Sequence, residues 1–144
     1  ARASGVNMDV RRDTPYAAYD QLTVRIVTAC EGDVWARTWV RMQEVIESLD
    51  LCRQVLTGLP KGPITVRAPR RVPPGEVVSR AEAPRGELIY YICSDGSDKP
   101  ARIKIRTPTL TTLITLRDQL REVNTADVPV VLAGVDLCIA CADR

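Results

Sequence analysis

Residues 33–58 read Asp33-VWARTWVRMQEVIESLDLCRQVLT-Gly58, and this stretch decides the fold class. Trp35, Trp39, Met42, Ile46, Leu49 and Leu56 recur at spacings of three, four and seven, the repeat of an apolar stripe along an α-helix. Arg37, Arg41, Glu44, Glu47 and Arg53 fall on the other faces. Asp33 is suited to accept the first free backbone N–H groups as N-cap. Gly58 suits the position just past the last turn, and Pro60 blocks continuation. At 1.5 Å per residue the helix is about 36 Å long.

Downstream, residues 60–84 hold many of the prolines, Pro73-Pro74 among them, and show no helical period. They read as an ordered, extended loop draped over a core. Residues 87–93 are mostly apolar, and residues 101–106 alternate, with Ile103 and Ile105 set against Arg102, Lys104 and Arg106. Ser94-Asp95-Gly96-Ser97 between them signals a turn, so the pair predicts a β-hairpin. Residues 109–123 predict a second helix, with Leu113, Leu116 and Leu120 in one stripe and Asp118-Gln119 facing away. Residues 128–135 are too short and too uniformly apolar to assign by period and are read as a short buried helix, with Asp127 as its cap. Upstream, residues 1–20 are irregular and polar, with Thr14-Pro15-Tyr16 able to open a short helix. Residues 22–29 lean to β-structure, Val24, Ile26 and Thr28 alternating with Arg25, Val27 and Ala29. The expected fold is α+β: one long amphipathic helix and shorter helices packed with a small antiparallel β-hairpin, in a single domain over residues 1–144.

A chain of 144 residues suits one core. Its 45% hydrophobic and 26% charged residues fit an ordinary globular protein. No apolar run approaches the roughly 18–20 residues that span a bilayer, and the polar opening Ala1-Arg2-Ala3-Ser4 does not read as a signal peptide. A net charge of +2, with arginines scattered along the chain, argues against nucleic acid as a partner. Arginine is the cation suited to buried ion pairs. The absence of His excludes a His-based triad or a His-ligated zinc within this chain. Of the five cysteines, Cys30, Cys52 and Cys93 stand alone within apolar stretches and Cys138 and Cys141 form a C-x-x-C pair, which is no secreted disulfide framework and is expected to hold buried reduced thiols.

Three segments can carry chemistry. Cys138-x-x-Cys141 is the strongest: one turn brings both sulfurs to one side, where they can hold one soft metal or bridge two. Two buried thiols without a ligand is the plain alternative. Zinc needs four ligands, and a thioredoxin-like pair belongs early in a βαβ unit. The local reading is half of a metal site. In Glu82-Ala83-Pro84-Arg85-Gly86, Pro84 fixes φ and Gly86 permits close backbone approach, so Arg85 is held in a defined place; a surface turn with a salt bridge is the plainer account. Residues 3–12 suggest a buried turn with an Asp–Arg pair.

Taken in order, Ala3-Ser4-Gly5 to Arg12, Pro15-Tyr16-x-x-Tyr19-Asp20, Gly32-Asp33-x-x-Ala36-Arg37, Arg41-x-x-Glu44-x-x-Glu47-Ser48, Glu82-Ala83-Pro84-Arg85-Gly86-Glu87 and Asp136-x-Cys138-x-x-Cys141-x-Asp143-Arg144 form a set. The set resembles the C-terminal part of the large subunit of membrane-bound, complex-I-related nickel–iron hydrogenases. The homologous complex I subunit shares most of it but lacks the cysteine pair and the metal. The resemblance implies a nickel–iron centre, with Cys138 as a terminal nickel thiolate and Cys141 as a thiolate bridging nickel and iron. It places Arg85, with Pro84 beside it, over the open position, and Asp136 around that arginine. Arg144 matches the ending of the membrane-bound group and implies a mature C-terminus. Leu137 stands where the family usually has Pro, which loosens the turn. The family's N-terminal C-x-x-C is absent, so the other two thiolates are expected from a missing N-terminal segment or a separate chain.

The implied reaction is 2H⁺ + 2e⁻ ⇌ H₂, with the thiolate of Cys138 preferred as base over Arg85, whose guanidinium pKa exceeds about 12. Implied partners are the N-terminal part of the large subunit, a small subunit with an iron–sulfur cluster, and membrane subunits of the complex. The implied place is cytoplasmic, peripheral on the inner face of the cell membrane. The isolated chain is expected to be inactive. The rival readings are a non-catalytic complex I-like scaffold (NADH:quinone oxidoreductase) and a small metal-handling or redox protein that uses the C-x-x-C alone.

Overall fold

The computed structural model describes residues 1–143; the reading of Arg144 lies outside them. The fold is α+β. Five α-helices and three strands follow in the order α1 (Val10–Asp13), α2 (Val34–Thr57), β1 (Gly75–Ala83), β2 (Gly86–Ser94), β3 (Pro100–Arg106), α3 (Pro108–Gln119), α4 (Val128–Val135) and α5 (Ile139–Ala142), with short 3-10 turns at Arg2–Ser4, Tyr19–Gln21 and Thr125–Asp127.

Helix α2 has the bounds its sequence predicts, and Asp33 caps it by accepting from the Ala36 N–H at 2.7 Å. Its buried face differs from the predicted one. Trp35, Met42, Ile46, Leu49 and Leu56 are exposed, while Ala36, Val40, Glu47 and Leu51 are buried. The reason is proximity. Ala3, Ala36 and Val40 form a cluster with Val27 and Ala29 packed on it, and short side chains let the N-terminal turn lie close against the helix.

Residues 22–29 form no strand. Side chains of α2 satisfy part of their backbone instead. Gln54 Oε1 accepts from the Thr23 N–H at 2.9 Å, and Glu47 Oε1 accepts from the Arg25 N–H at 2.8 Å. The far end of the segment joins the N-terminal turn, where the Gly5 N–H donates to Ala29 O and the Ala29 N–H to Arg2 O. No helix opens at Pro15: α1 lies upstream and ends at Asp13, Thr14 being disfavoured in the helical region because proline follows it, and only the 3-10 turn at Tyr19–Gln21 comes after.

The sheet has the order β1-β2-β3 and is antiparallel throughout. The hairpin of β2 and β3 matches expectation. Strand β1 corrects the reading of residues 60–84 as loop: residues 75–83 pair with the whole of β2, from Gly75↔Ser94 to Ala83↔Gly86. Glu87 on the central strand takes Arg80 from β1 and Arg106 from β3, which pins the register at the Pro84 end of the sheet. Helix α3 ends at Gln119, short of the expected residue 123. Gln119 does not face away but accepts from Arg37 Nη1 at 2.6 Å. Helix α4 occupies residues 128–135 as expected, with Val131 and Val135 buried but Val130 and Leu132 exposed. No described helix is long and apolar enough to cross a membrane.

Candidate metal centre

Four elements meet around the C-terminal cysteines. Helix α4 stops because Asp136 turns into the left-handed region, at φ 54° and ψ 59°, and returns its N–H to Leu132 O and Ala133 O, both at 3.1 Å. Leu137 then leads to Cys138, the extended residue that precedes α5. The Cys141 N–H donates to Cys138 O at 3.0 Å, so both cysteines lie in one turn, and both are half-buried. The Cys141 side chain and backbone, hydrogen-bonded to the Cys138 thiol, hold that thiol below its usual pKa, and the charge of Arg85 acts in the same direction.

Arg85 reaches this corner from the two-residue turn between β1 and β2. Pro84 and Arg85 form the turn, and Gly86 follows it at φ +128°, a conformation that L side chains rarely adopt. The Arg85 Nε donates to Asp136 O at 2.8 Å and lies 3.2 Å from Asp136 Oδ2, and its Nη2 donates to Oδ1 at 3.3 Å. From α2, Arg41 donates through Nε and Nη2 to Gly134 O, at 3.0 and 2.7 Å, and its Nη1 lies 3.5 Å from Asp136 Oδ2.

Thr107 and Thr109 start α3, which packs against α5. The Thr107 hydroxyl donates to Cys141 O. The Thr109 hydroxyl is completely buried and has no hydrogen-bond partner among the described residues. A cavity of about 550 Å³ opens beside the corner, lined in part by Arg41, Pro84 and Asp136 and by the ion cluster of Arg2, Arg11, Glu44 and Glu82. Arg2 pairs with Glu44, Glu82 and Asp9. Burial disfavours the Asp9 carboxylate, yet the hydrogen bonds from Arg11 and the charge of Arg2 hold its pKa below the usual value.

The residues present fit part of a thiolate-ligated metal centre. Two thiols in one turn, one of them already biased toward thiolate, suit a soft metal. The described residues hold no cluster of three or more His, Cys, Asp or Glu able to bind a metal alone, so the donor set is partial. Sequence reasoning found Pro84, Arg85, Asp136, Cys138 and Cys141, and the structure brings them together. It gave Arg41 no role at this corner, naming it only among the polar residues of the helix and within the Arg41-x-x-Glu44-x-x-Glu47-Ser48 segment. It also missed Thr107, whose hydroxyl donates to Cys141 O and whose signal was the Thr-Pro start of α3.

The model of the family described as "Respiratory-chain NADH dehydrogenase, 49 Kd subunit" matches residues 1–74 and 66–144. The chain is 42% identical over 144 residues to the carbon monoxide-induced hydrogenase of Rhodospirillum rubrum, covering 100% of this chain and 40% of that protein. It is 42% identical over 145 residues to an NADH-quinone oxidoreductase subunit of Dehalococcoides mccartyi, covering 99% of this chain and 40% of that protein. A chain of the membrane-bound sulfane sulfur reductase, an archaeal respiratory membrane complex, superposes with a TM-score of 0.89 at 38% identity, over 99% of this chain and 41% of that one. The chain thus spans about two-fifths of the length of these relatives.

Proposed function

The chain belongs to the family of the respiratory-chain NADH dehydrogenase 49 kDa subunit, and on that footing we propose that it carries the C-terminal half-site of a nickel–iron hydrogenase large subunit. The observation that supports this most is the pairing of Cys138 and Cys141 in one turn beside Arg85 and Asp136. Cys138 and Cys141 would hold the metals, together with thiolates from the N-terminal part of the subunit. A nickel–iron pair supplies the two-electron interconversion of protons and H₂. The protein's own part is positioning and charge. Asp136 holds the Arg85 guanidinium over the corner, where its positive charge favours anionic groups. The Cys138 Sγ would be the group that takes and releases the proton, since a guanidinium is a poor base. Electrons would leave through an iron–sulfur cluster of a small subunit, and membrane subunits would seat the assembly on the inner face of the cell membrane.

One observation favours a second reading. The matching family is that of an NADH dehydrogenase subunit, and a relative named as an NADH-quinone oxidoreductase subunit matches at the same identity as the hydrogenase. On that reading the chain is a non-catalytic scaffold of a quinone-reducing complex. Metal analysis of the intact, mature assembly separates the two. The hydrogenase reading expects stoichiometric nickel and iron beyond the cluster iron; an intact assembly without nickel would leave the scaffold reading.

A further inference from the structure

The contact between Arg85 and Asp136 has a third member, drawn from the longest helix. We propose that Arg41 is a positioning residue of this centre: acting through Asp136, it sets where the Arg85 guanidinium stands beside Cys138. Its consequence for catalysis rests on the hydrogenase reading; the positioning itself does not.

The last carbonyls of a helix have no partner within it. At the end of α4, Leu132 O and Ala133 O receive the Asp136 N–H, and Gly134 O receives the Nε and Nη2 of Arg41. Asp136 O receives the Nε of Arg85. Two cations from distant elements therefore complete this helix end, where the helix dipole favours positive charge. Between them sits Asp136, a non-glycine residue at φ 54°, the left-handed conformation that closes a helix. Its Oδ2 faces both guanidinium groups, at 3.5 Å from Arg41 Nη1 and 3.2 Å from Arg85 Nε.

The side-chain hydrogen bonds of Arg85 both end on Asp136, so Arg85 stands where Asp136 is held. Arg41 grips a second point of the same bend, two residues earlier, and ties it to α2. Without Arg41, Gly134 O loses both donors and Asp136 Oδ2 loses one of its two cations. A lysine does not replace it, because a single ammonium cannot present a planar fork to a carbonyl and a further N–H to a carboxylate.

The test is NMR of the arginine Nε–H groups in the ¹⁵N-labelled 144-residue chain, as wild type, Arg41→Ala and Arg41→Lys. The Arg11 Nε–H, which donates to Asp9, serves as the internal record of folding. The expected result is that Arg85 Nε–H exchange accelerates by about tenfold in both variants, the order given by losing one net hydrogen bond, while Arg11 is unchanged. A merely structural Arg41 would lower stability and leave Arg85 protected. The proposal is overturned if Arg85 exchange is unchanged in Arg41→Ala, or if Arg41→Lys restores it to the wild-type rate. Should Arg41→Ala lose the Arg11 signal as well, Arg41→Lys alone decides: Arg85 lost with Arg11 kept supports the proposal, and Arg85 kept overturns it. Absence of nickel from the intact assembly would remove the hydrogenase reading without altering this result.

Discussion

Cys138 and Asp9 show how single groups are tuned by their neighbours. The Cys138 thiol is lowered first by its hydrogen bond with the Cys141 side chain, then by the Cys141 backbone, with Arg85 assisting. A lowered thiol carries more thiolate at a given pH, so its alkylation persists as pH falls. Iodoacetamide labelling of Cys138 in the isolated chain is expected to reach half its maximal rate below the ordinary thiol range. Cys141→Ser should move that point upward; no movement would show that Cys141 is not the cause. Asp9 is 1% exposed and receives Arg11 on both oxygens, with Arg2 at 3.1 Å. Its depressed carboxylate contributes stability that is fully present above the ordinary carboxylate pKa and is lost as pH falls through the folded value. Asp9→Ala is expected to destabilise the chain by about 3 kcal/mol at neutral pH, since it leaves buried guanidinium groups short of a partner. Urea unfolding should show that difference shrinking as pH falls below about 4, where the unfolded-state carboxyl protonates first; a difference independent of pH would contradict the ionic account.

At the scale of elements, α2 was legible in extent but not in orientation. Asp33, Gly58 and Pro60 mark its ends, whereas the large apolar side chains point away from the rest of the chain. Periodicity reports which residues share a face; it does not report which face the neighbouring backbone can approach. Leu51→Ala, on the buried face, is expected to cost about 2–4 kcal/mol. Leu49→Ala, on the exposed face, should stay within about 0.5 kcal/mol. Equal costs in denaturant melts would contradict the orientation. Strand β1 was hidden by the prolines around it, because its partner lies across a turn of only two residues and its side chains are mostly exposed. That turn depends on Gly86 at φ +128°. Gly86→Ala is expected to destabilise by about 1–2 kcal/mol and to speed exchange of the Ala83 and Glu87 amides; unchanged exchange would argue against strain at this position. The cysteines, arginine and aspartate of the corner lie in short motifs, so each could be named from the sequence, while their meeting in space depends on how the β1–β2 turn packs on the end of α4. Arg41 escaped because it meets Asp136 only through packing of α2 on α4, a contact that no local pattern encodes.

For the molecule as a whole, the buried apolar core is small. Among the described residues it comprises Ala3, Val10, Ala36, Val40, Leu51, Val131 and Val135, while Trp35, Met42, Ile46, Leu49 and Leu56 lie exposed along one helix. Exposed apolar patches of this kind mark interaction surfaces. The isolated chain is therefore expected to bind a hydrophobic dye such as ANS, with no H₂ oxidation and no nickel–iron centre; a chain that binds no dye and holds nickel and iron would contradict that expectation. The central claim is that Cys138 and Cys141 ligate metal in the intact assembly. X-ray absorption at the nickel edge tests it most directly, on the mature wild-type complex and on Cys138→Ser. The account predicts sulfur-coordinated nickel in the wild type and one sulfur neighbour fewer, or lost nickel, in the variant. Nickel absent from the wild type, or a sulfur shell unchanged by the substitution, would contradict it.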